Sequence, residues 1–229
     1  MSRLLLISNS GTPFLGHCGE MIGTFLAGRN RVTYVTAARV GDEEERYERA
    51  AKALASNGLQ ADHLKLDRDA VRKLNDAQAI FVGGGNTYAL LSRLRQHGLL
   101  ERLAERVRNG MPYIGTSAGT NIAAPNILAT NDWNVVGATE FTGMALVPWA
   151  INPHYQETDP AMAPGSETRD QRIGEYLKCN FLPVLGIEEQ TAIQVEEDVA
   201  TVVGQGRARL FRRGDKPVWL EAGAKLSLH

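Results

Sequence analysis

The pentapeptide Gly115-Thr116-Ser117-Ala118-Gly119 is where residue type and spacing point most directly to chemistry. A serine with glycine two residues away on either side fits a sharp strand-to-helix turn. The backbone there is strained, side chains at the flanking positions would block closure, and the hydroxyl is lifted clear of the sheet. The short strand Tyr113-Ile114-Gly115 leads into it, and a small-residue helix is expected after it. The first amides of that helix would face the serine oxygen and favour a developing negative charge. Ser117 is therefore the expected nucleophile of an acyl transfer.

The turn Val82-Gly83-Gly84-Gly85-Asn86-Thr87 is the second such segment. It follows the compact apolar run Ala79-Ile80-Phe81-Val82 and opens a helix. It lacks the lysine and serine or threonine of a phosphate loop, and its glycines are not spaced GxGxxG. Glycines also let backbone come close to a substrate. An amide of Gly84 or Gly85 is expected to join that of Ala118 as the second donor to an oxyanion.

A serine nucleophile needs a base, and the base needs an orienting carboxylate. Five histidines compete. His97 ends a helix before Gly98, where a cation is favourable for structural reasons. His63 lies in a weak strand, and His229 is the last residue. His17, in the first loop after a strand, is placed to touch substrate. His154 is the favoured base: in Ile151-Asn152-Pro153-His154-Tyr155 it follows an apolar run and precedes an irregular loop. It must be neutral to act, so activity is expected to fall in acid. For the carboxylate, Asp132, Glu188 and Glu189 stay open. Asp132 follows the nucleophile's helix, whereas the glutamates leave the apolar strand Val184-Leu185.

The elements that must position these groups alternate. Strands are expected at Leu4 to Ile7, Val32 to Thr36, His63 to Leu66, Ala79 to Val82 and Tyr113 to Gly115. Helices are expected at Glu20 to Leu26, from a cap at Asp42 to about Ser56, from Asn86 or Thr87 to Leu94, and from Leu99 to Val107. Short apolar strands alternating with amphipathic helices imply a parallel sheet covered on both faces. From about Ala192 the pattern changes to Ile193 to Glu196, Ala200 to Val203, Arg209 to Arg212 and Val218 to Leu220. This reads as an antiparallel meander added to that sheet. Arg213-Gly214-Asp215 is one of its turns. The loop from Gln156 to Glu167 is long enough to serve as a lid.

The 229 residues suit one α/β domain, 1–229. A net charge of −1, with both signs dispersed, excludes an obvious nucleic-acid or anionic-membrane partner. Cys18 and Cys179 show neither disulfide nor zinc spacing. The apolar run at the start is four residues, too short for a secretory or membrane segment. A reducing cytoplasm fits both observations.

Taken with Thr130-Asn131-Asp132 and Glu167-Thr168-Arg169-Asp170-Gln171-Arg172-Ile173, these motifs occur in an order that resembles peptidase E, the α-aspartyl dipeptidases of serine peptidase family S51, related to cyanophycinase. The resemblance implies a three-layer α/β/α fold of the class I glutamine amidotransferase (flavodoxin-like) type. It implies hydrolysis of Asp-X dipeptides without metal or cofactor. Ser117 would be the nucleophile, His154 the base and Glu189 the triad glutamate, with Asp132 kept as the other acidic candidate. From their own positions in the sequence, Gly85 and Ala118 are the expected oxyanion donors, with Gly84 and Asn86 expected beside the substrate. Arg169 would grip the aspartate carboxylate. The fold also allows a homodimer. Residues 188–191, Glu-Glu-Gln-Thr, lie closer to a cyanophycinase pattern, whereas the segment around Arg169 favours the dipeptidase. A cyanophycinase-like or other small acyl hydrolase, or a non-catalytic binding protein, are the rival readings.

Overall fold

The computed structural model describes residues 2–158, 161 and 165–228. Five parallel strands lie at its centre: β1 (Leu4–Ile7), β2 (Arg31–Val35), β3 (Gln60–Leu64), β4 (Ile80–Val82) and β5 (Tyr113–Thr116). Their spatial order is β3-β2-β4-β5-β1. Helices make the crossovers: α1 (Gly19–Leu26), α2 (Glu43–Ala55), α3 (Ala70–Asp76), and the pair α4 (Thr87–Gln96) and α5 (Leu100–Arg108).

The run Leu-Leu-Leu-Ile makes β1 a central strand because successive side chains point to opposite faces and both faces are covered. Leu4 and Leu6 join a core with Leu90, Leu94 and Leu103 of α4 and α5. Leu5 and Ile7 join one with Ile22 and Phe25 of α1 and Leu54 of α2. All four are at most 1% exposed, and such burial contributes about 2 kcal/mol per side chain. The α5 helix buries Leu100, Leu103, Ala104 and Val107, a stripe at helical spacing. Asp42 stands at the N-cap position of α2, but its carboxylate pairs with Arg39 instead of capping. The third strand begins and ends earlier than expected, and α3 follows it.

Beyond β1 the sheet turns antiparallel, through β8 (Thr191–Glu196), β9 (Val199–Gly204) and β12 (Lys225–Ser227). The meander does not stay in one sheet. β10 (Ala208–Phe211) and β11 (Val218–Leu220) leave it: β11 pairs with β10, and β10 pairs with β7 (Val184–Ile187), which runs parallel to β6 (Ala150–Pro153). Among the described residues, the expected single sheet is thus two, of eight and four strands. The physical reason is that the second sheet is apolar on both faces. Ile151, Leu185, Ile187 and Leu210 join the main core. Ala150, Val184 and Phe211 instead pack with Ile173 and Leu177 of α7 (Arg169–Cys179). Among the described residues, no helix is long and apolar enough to cross a membrane.

Candidate active site

Four strand ends of the two sheets deliver the site. Gly83 to Gly85 follow β4, Ser117 follows β5, His154 follows β6 and Glu189 lies two residues past β7. Ser117 precedes a single helical turn, α6 (Ala118–Asn121), and has φ 52° and ψ −107°. A positive φ is rare for a residue with a Cβ, and such strain must be held by its surroundings. Here Ser117 N donates to Ile7 O at 3.0 Å and Thr120 Oγ1 donates to the same carbonyl at 2.7 Å. The buried Tyr113 hydroxyl donates to Gly119 O. A Cβ on Gly119 would overlap the carbonyl of Val82, and one on Gly115 would overlap Gly119. The turn closes only because both are glycine.

His154 Nε2 lies 2.8 Å from Ser117 Oγ, and Nδ1 lies 2.6 Å from Glu189 Oε1. A carboxylate only accepts, so Nδ1 carries the proton and Nε2 is left to accept from the hydroxyl. That is the arrangement for removing the hydroxyl proton as it attacks an acyl carbon. His154 also has a positive φ, 55°. Its amide donates to Ser8 Oγ at 2.8 Å, and Ser8 donates in turn to Ile187 O at 2.9 Å. Ser8 is fully buried. The sequence reading passed over this residue. Its signal was a serine directly after a fully apolar strand, where an unpaired hydroxyl would be costly.

A Cβ added to Gly84 would sit 3.1 Å from Ser117 Cβ, so its backbone passes beside the nucleophile. Among the described residues, the amides of Gly84, Gly85 and Ala118 have no protein acceptor. Gly85 has φ 154°, and a Cβ there would strike the backbone of Ala38. Gly84 and Gly85 border a cavity of about 430 Å³, shared with Ser117, His154 and Glu189.

Three other predicted residues lie elsewhere. Asp132 is not on the imidazole: its Oδ2 accepts from Thr87 N, at the start of α4, at 2.7 Å. Asn86 caps the same helix, accepting from Ala89 N, and its Nδ2 donates to Trp133 O. Both ends of its side chain are engaged, and it does not line the cavity. Arg169, the first residue of α7, is not among the cavity's lining residues either. It is half-buried, and burial and the neighbouring Arg172 bring its pKa down. The nearby carboxylates are occupied: Glu167 by Arg172 at 3.5 Å and Asp170 by Arg209 at 3.1 Å. Glu188 is held by Arg207. His17 lies near Glu189, with a pKa lowered by burial and raised in smaller part by that charge. Of the loop read as a lid, residues 159–160 and 162–164 lie outside the described residues.

The model of peptidase family S51 matches residues 4–203, most of the chain. The chain belongs to peptidase family S51. It is 42% identical over 228 residues to peptidase E of Streptomyces coelicolor, covering 98% of this chain and 93% of that one. It is 37% identical to a probable alpha-aspartyl dipeptidase of Drosophila melanogaster, over 92% and 90% of the two chains. Among solved structures, that of a peptidase E-like protein from Listeria monocytogenes superposes with TM-score 0.69 at 26% identity, over 90% of this chain and all of that one. A peptidase from an acI-B1 actinobacterium shares the fold, with TM-score 0.75 at 19% identity over 99% and 97%. This S51 member is a peptidase with an α/β fold, as the resemblance implied.

Proposed function

We propose that this S51 peptidase hydrolyses dipeptides with an N-terminal aspartate, through an acyl-enzyme on Ser117. Ser117 Oγ attacks the aspartyl carbonyl while His154 Nε2 takes its proton and Glu189 steadies the resulting imidazolium. The amides of Gly84 or Gly85 and of Ala118 hold the oxyanion, each contributing about 3 kcal/mol in sites of this kind. His154 then protonates the departing amine, and water, deprotonated by the same imidazole, releases aspartate. The observation that carries the reading is the continuous contact from Ser117 Oγ through His154 to Glu189 at 2.8 and 2.6 Å. The substrate class is supported by the relatives named peptidase E and alpha-aspartyl dipeptidase. Arg169, half-buried and without a carboxylate partner among the described residues, is the group proposed to take the aspartate side chain. A guanidinium can bind it through two charge-assisted bonds. The whole chain acts as one hydrolytic unit in this reading. A cytoplasmic location suits its two free thiols; a homodimer is testable by light scattering.

The deciding experiment is a panel of Asp-Leu, Leu-Leu, β-aspartyl-leucine and p-nitrophenyl acetate. Asp-Leu is expected to exceed the others in kcat/KM by at least about 100-fold, because a desolvated guanidinium is left unpaired without the carboxylate. Arg169→Gln should remove most of that preference. Equal turnover of Leu-Leu would overturn the specificity, and preference for the β-linked peptide would favour a cyanophycinase-like activity. A serine-reactive phosphonate should label wild type stoichiometrically and fail on Ser117→Ala.

A further inference from the structure

Two guanidinium groups in the reactive cavity have no part in the chemistry above. Arg46 and Arg49 stand three residues apart on α2, and so on one face of it. Both lie over the ring of Phe14, 5.3 and 5.1 Å from its centroid. With Phe14 they line the same cavity as Ser117 and His154. Among the described residues neither has an ion-pair partner, and Asp42, one turn before Arg46, is bound by Arg39. Among the described residues, Glu189 is the one carboxylate lining the cavity, and it is already on His154. Burial lowers the pKa of Arg46; Arg39 and Arg49 add to this, while Tyr34 and Asp42 oppose it. An anion arriving there would relieve a cost that the free protein carries.

The direction of the cavity assigns the anion. A catalytic imidazole gives its proton to the departing nitrogen, so the departing residue lies on the imidazole's side of the nucleophile. From His154 and Glu189 the wall runs into the loop after β1, where Gln190 N donates to Asn9 Oδ1 at 3.0 Å. That loop carries Gly11, Thr12 and Phe14, which line the cavity together with the two arginines. In a dipeptide, the departing residue carries a free carboxylate only one Cα beyond that nitrogen.

We propose that Arg46 and Arg49, backed by Phe14, bind the C-terminal carboxylate of the departing residue and thereby select dipeptides. This rests on the dipeptidase reading above. A longer peptide or an amide presents a neutral group at that point and leaves the guanidiniums unpaired, while the cation–π contacts hold them in place.

The test compares Asp-Leu, Asp-Leu-amide and Leu-Leu on the full-length wild type, on Arg46→Gln/Arg49→Gln, on Arg46→Lys/Arg49→Lys and on the single Arg49→Gln. The Asp-over-Leu ratio tests the dipeptidase reading, and the acid-over-amide ratio tests the arginine pair. Wild type is expected to favour the acid by at least about 30-fold in kcat/KM. That ratio should approach one in the double Gln variant, chiefly through KM, and keep part of its value in the Lys variant. Arg49 is exposed, so its single variant also reports should the double one fold poorly. A wild-type acid-over-amide ratio near one, or a ratio unchanged in the variants, would overturn the proposal. So would variants that lose the Asp-over-Leu preference while keeping acid over amide, since the pair would then serve the first residue. A wild type that cleaves none of the three removes the reading and the proposal together.

Discussion

Glu189 accepts from the imidazole, whereas Asp132 accepts from an amide at the start of α4, so their removal has separable consequences. Glu189→Gln keeps the size of the group but loses the charge that favours the imidazolium and one tautomer. The expected result is a fall in kcat on the order of 100-fold or more, with the unfolding midpoint in urea almost unchanged. Asp132→Ala leaves an amide without its acceptor and weakens a helix end. It should cost about 1 kcal/mol in stability and less than about tenfold in kcat. A larger kcat loss in Asp132→Ala would reverse the assignment. The cysteines make a second case at this scale. Burial pushes the Cys18 thiol up to about 12, while Cys179 is exposed. Only the thiolate reacts. A disulfide reagent at pH 8 should therefore titrate one thiol in the native protein and two in denaturant; two fast thiols in the native protein would contradict the packing of Cys18.

Elements fix where those residues can be, and two glycines show how sharply. An alanine at Gly119 would drive its Cβ into the carbonyl of Val82, which the sheet cannot move. Gly119→Ala is expected to destabilise by about 2–4 kcal/mol and to abolish activity by displacing Ser117. Gly174, inside α7, has open space where a Cβ would go. Gly174→Ala should stabilise by about 0.5–1 kcal/mol, since it only restricts the unfolded chain. Urea unfolding of both variants checks the contrast. The elbow was legible in the sequence because its requirements are local: a short strand, a serine and glycine on both sides. The five parallel strands were legible because buried strands read as apolar runs. The division of the C-terminal strands between two sheets was not, because Arg209 to Arg212 and Ile193 to Glu196 look alike until their partners are known. Asn86 and Asp132 were placed near the chemistry by sequence position, yet both cap α4, a role that Asn and Asp take wherever a helix starts. Arg46 and Arg49 fall in the helix expected from Asp42 to about Ser56, and nothing in their spacing shows that Phe14 lies across from them.

At the scale of the molecule, the nucleophile and its base belong to different sheets. Ser117 is carried by the eight-stranded sheet, and His154 and Glu189 follow β6 and β7 of the four-stranded one. The 2.8 Å contact between Oγ and Nε2 thus depends on how the sheets are joined at their carboxyl edge. Ser8 makes that join, accepting from His154 N and donating to Ile187 O, one residue beyond the strand whose Ile7 carbonyl receives Ser117 N. Ser8→Ala leaves the His154 amide without its acceptor, at about 1–3 kcal/mol, while the Ile187 carbonyl keeps its bond from Tyr155 N. If the hydroxyl only filled space, that loss would appear as stability alone. If it sets the distance between nucleophile and base, kcat should fall by at least about tenfold under conditions where the variant is fully folded, with KM nearly unchanged, because a small misplacement at the reacting atoms costs much of the rate. Labelling of Ser117 by a phosphonate, which needs the same imidazole, should slow in proportion. A Ser8→Ala enzyme with lowered stability but wild-type kcat and labelling rate would show that the two sheets hold their register without it.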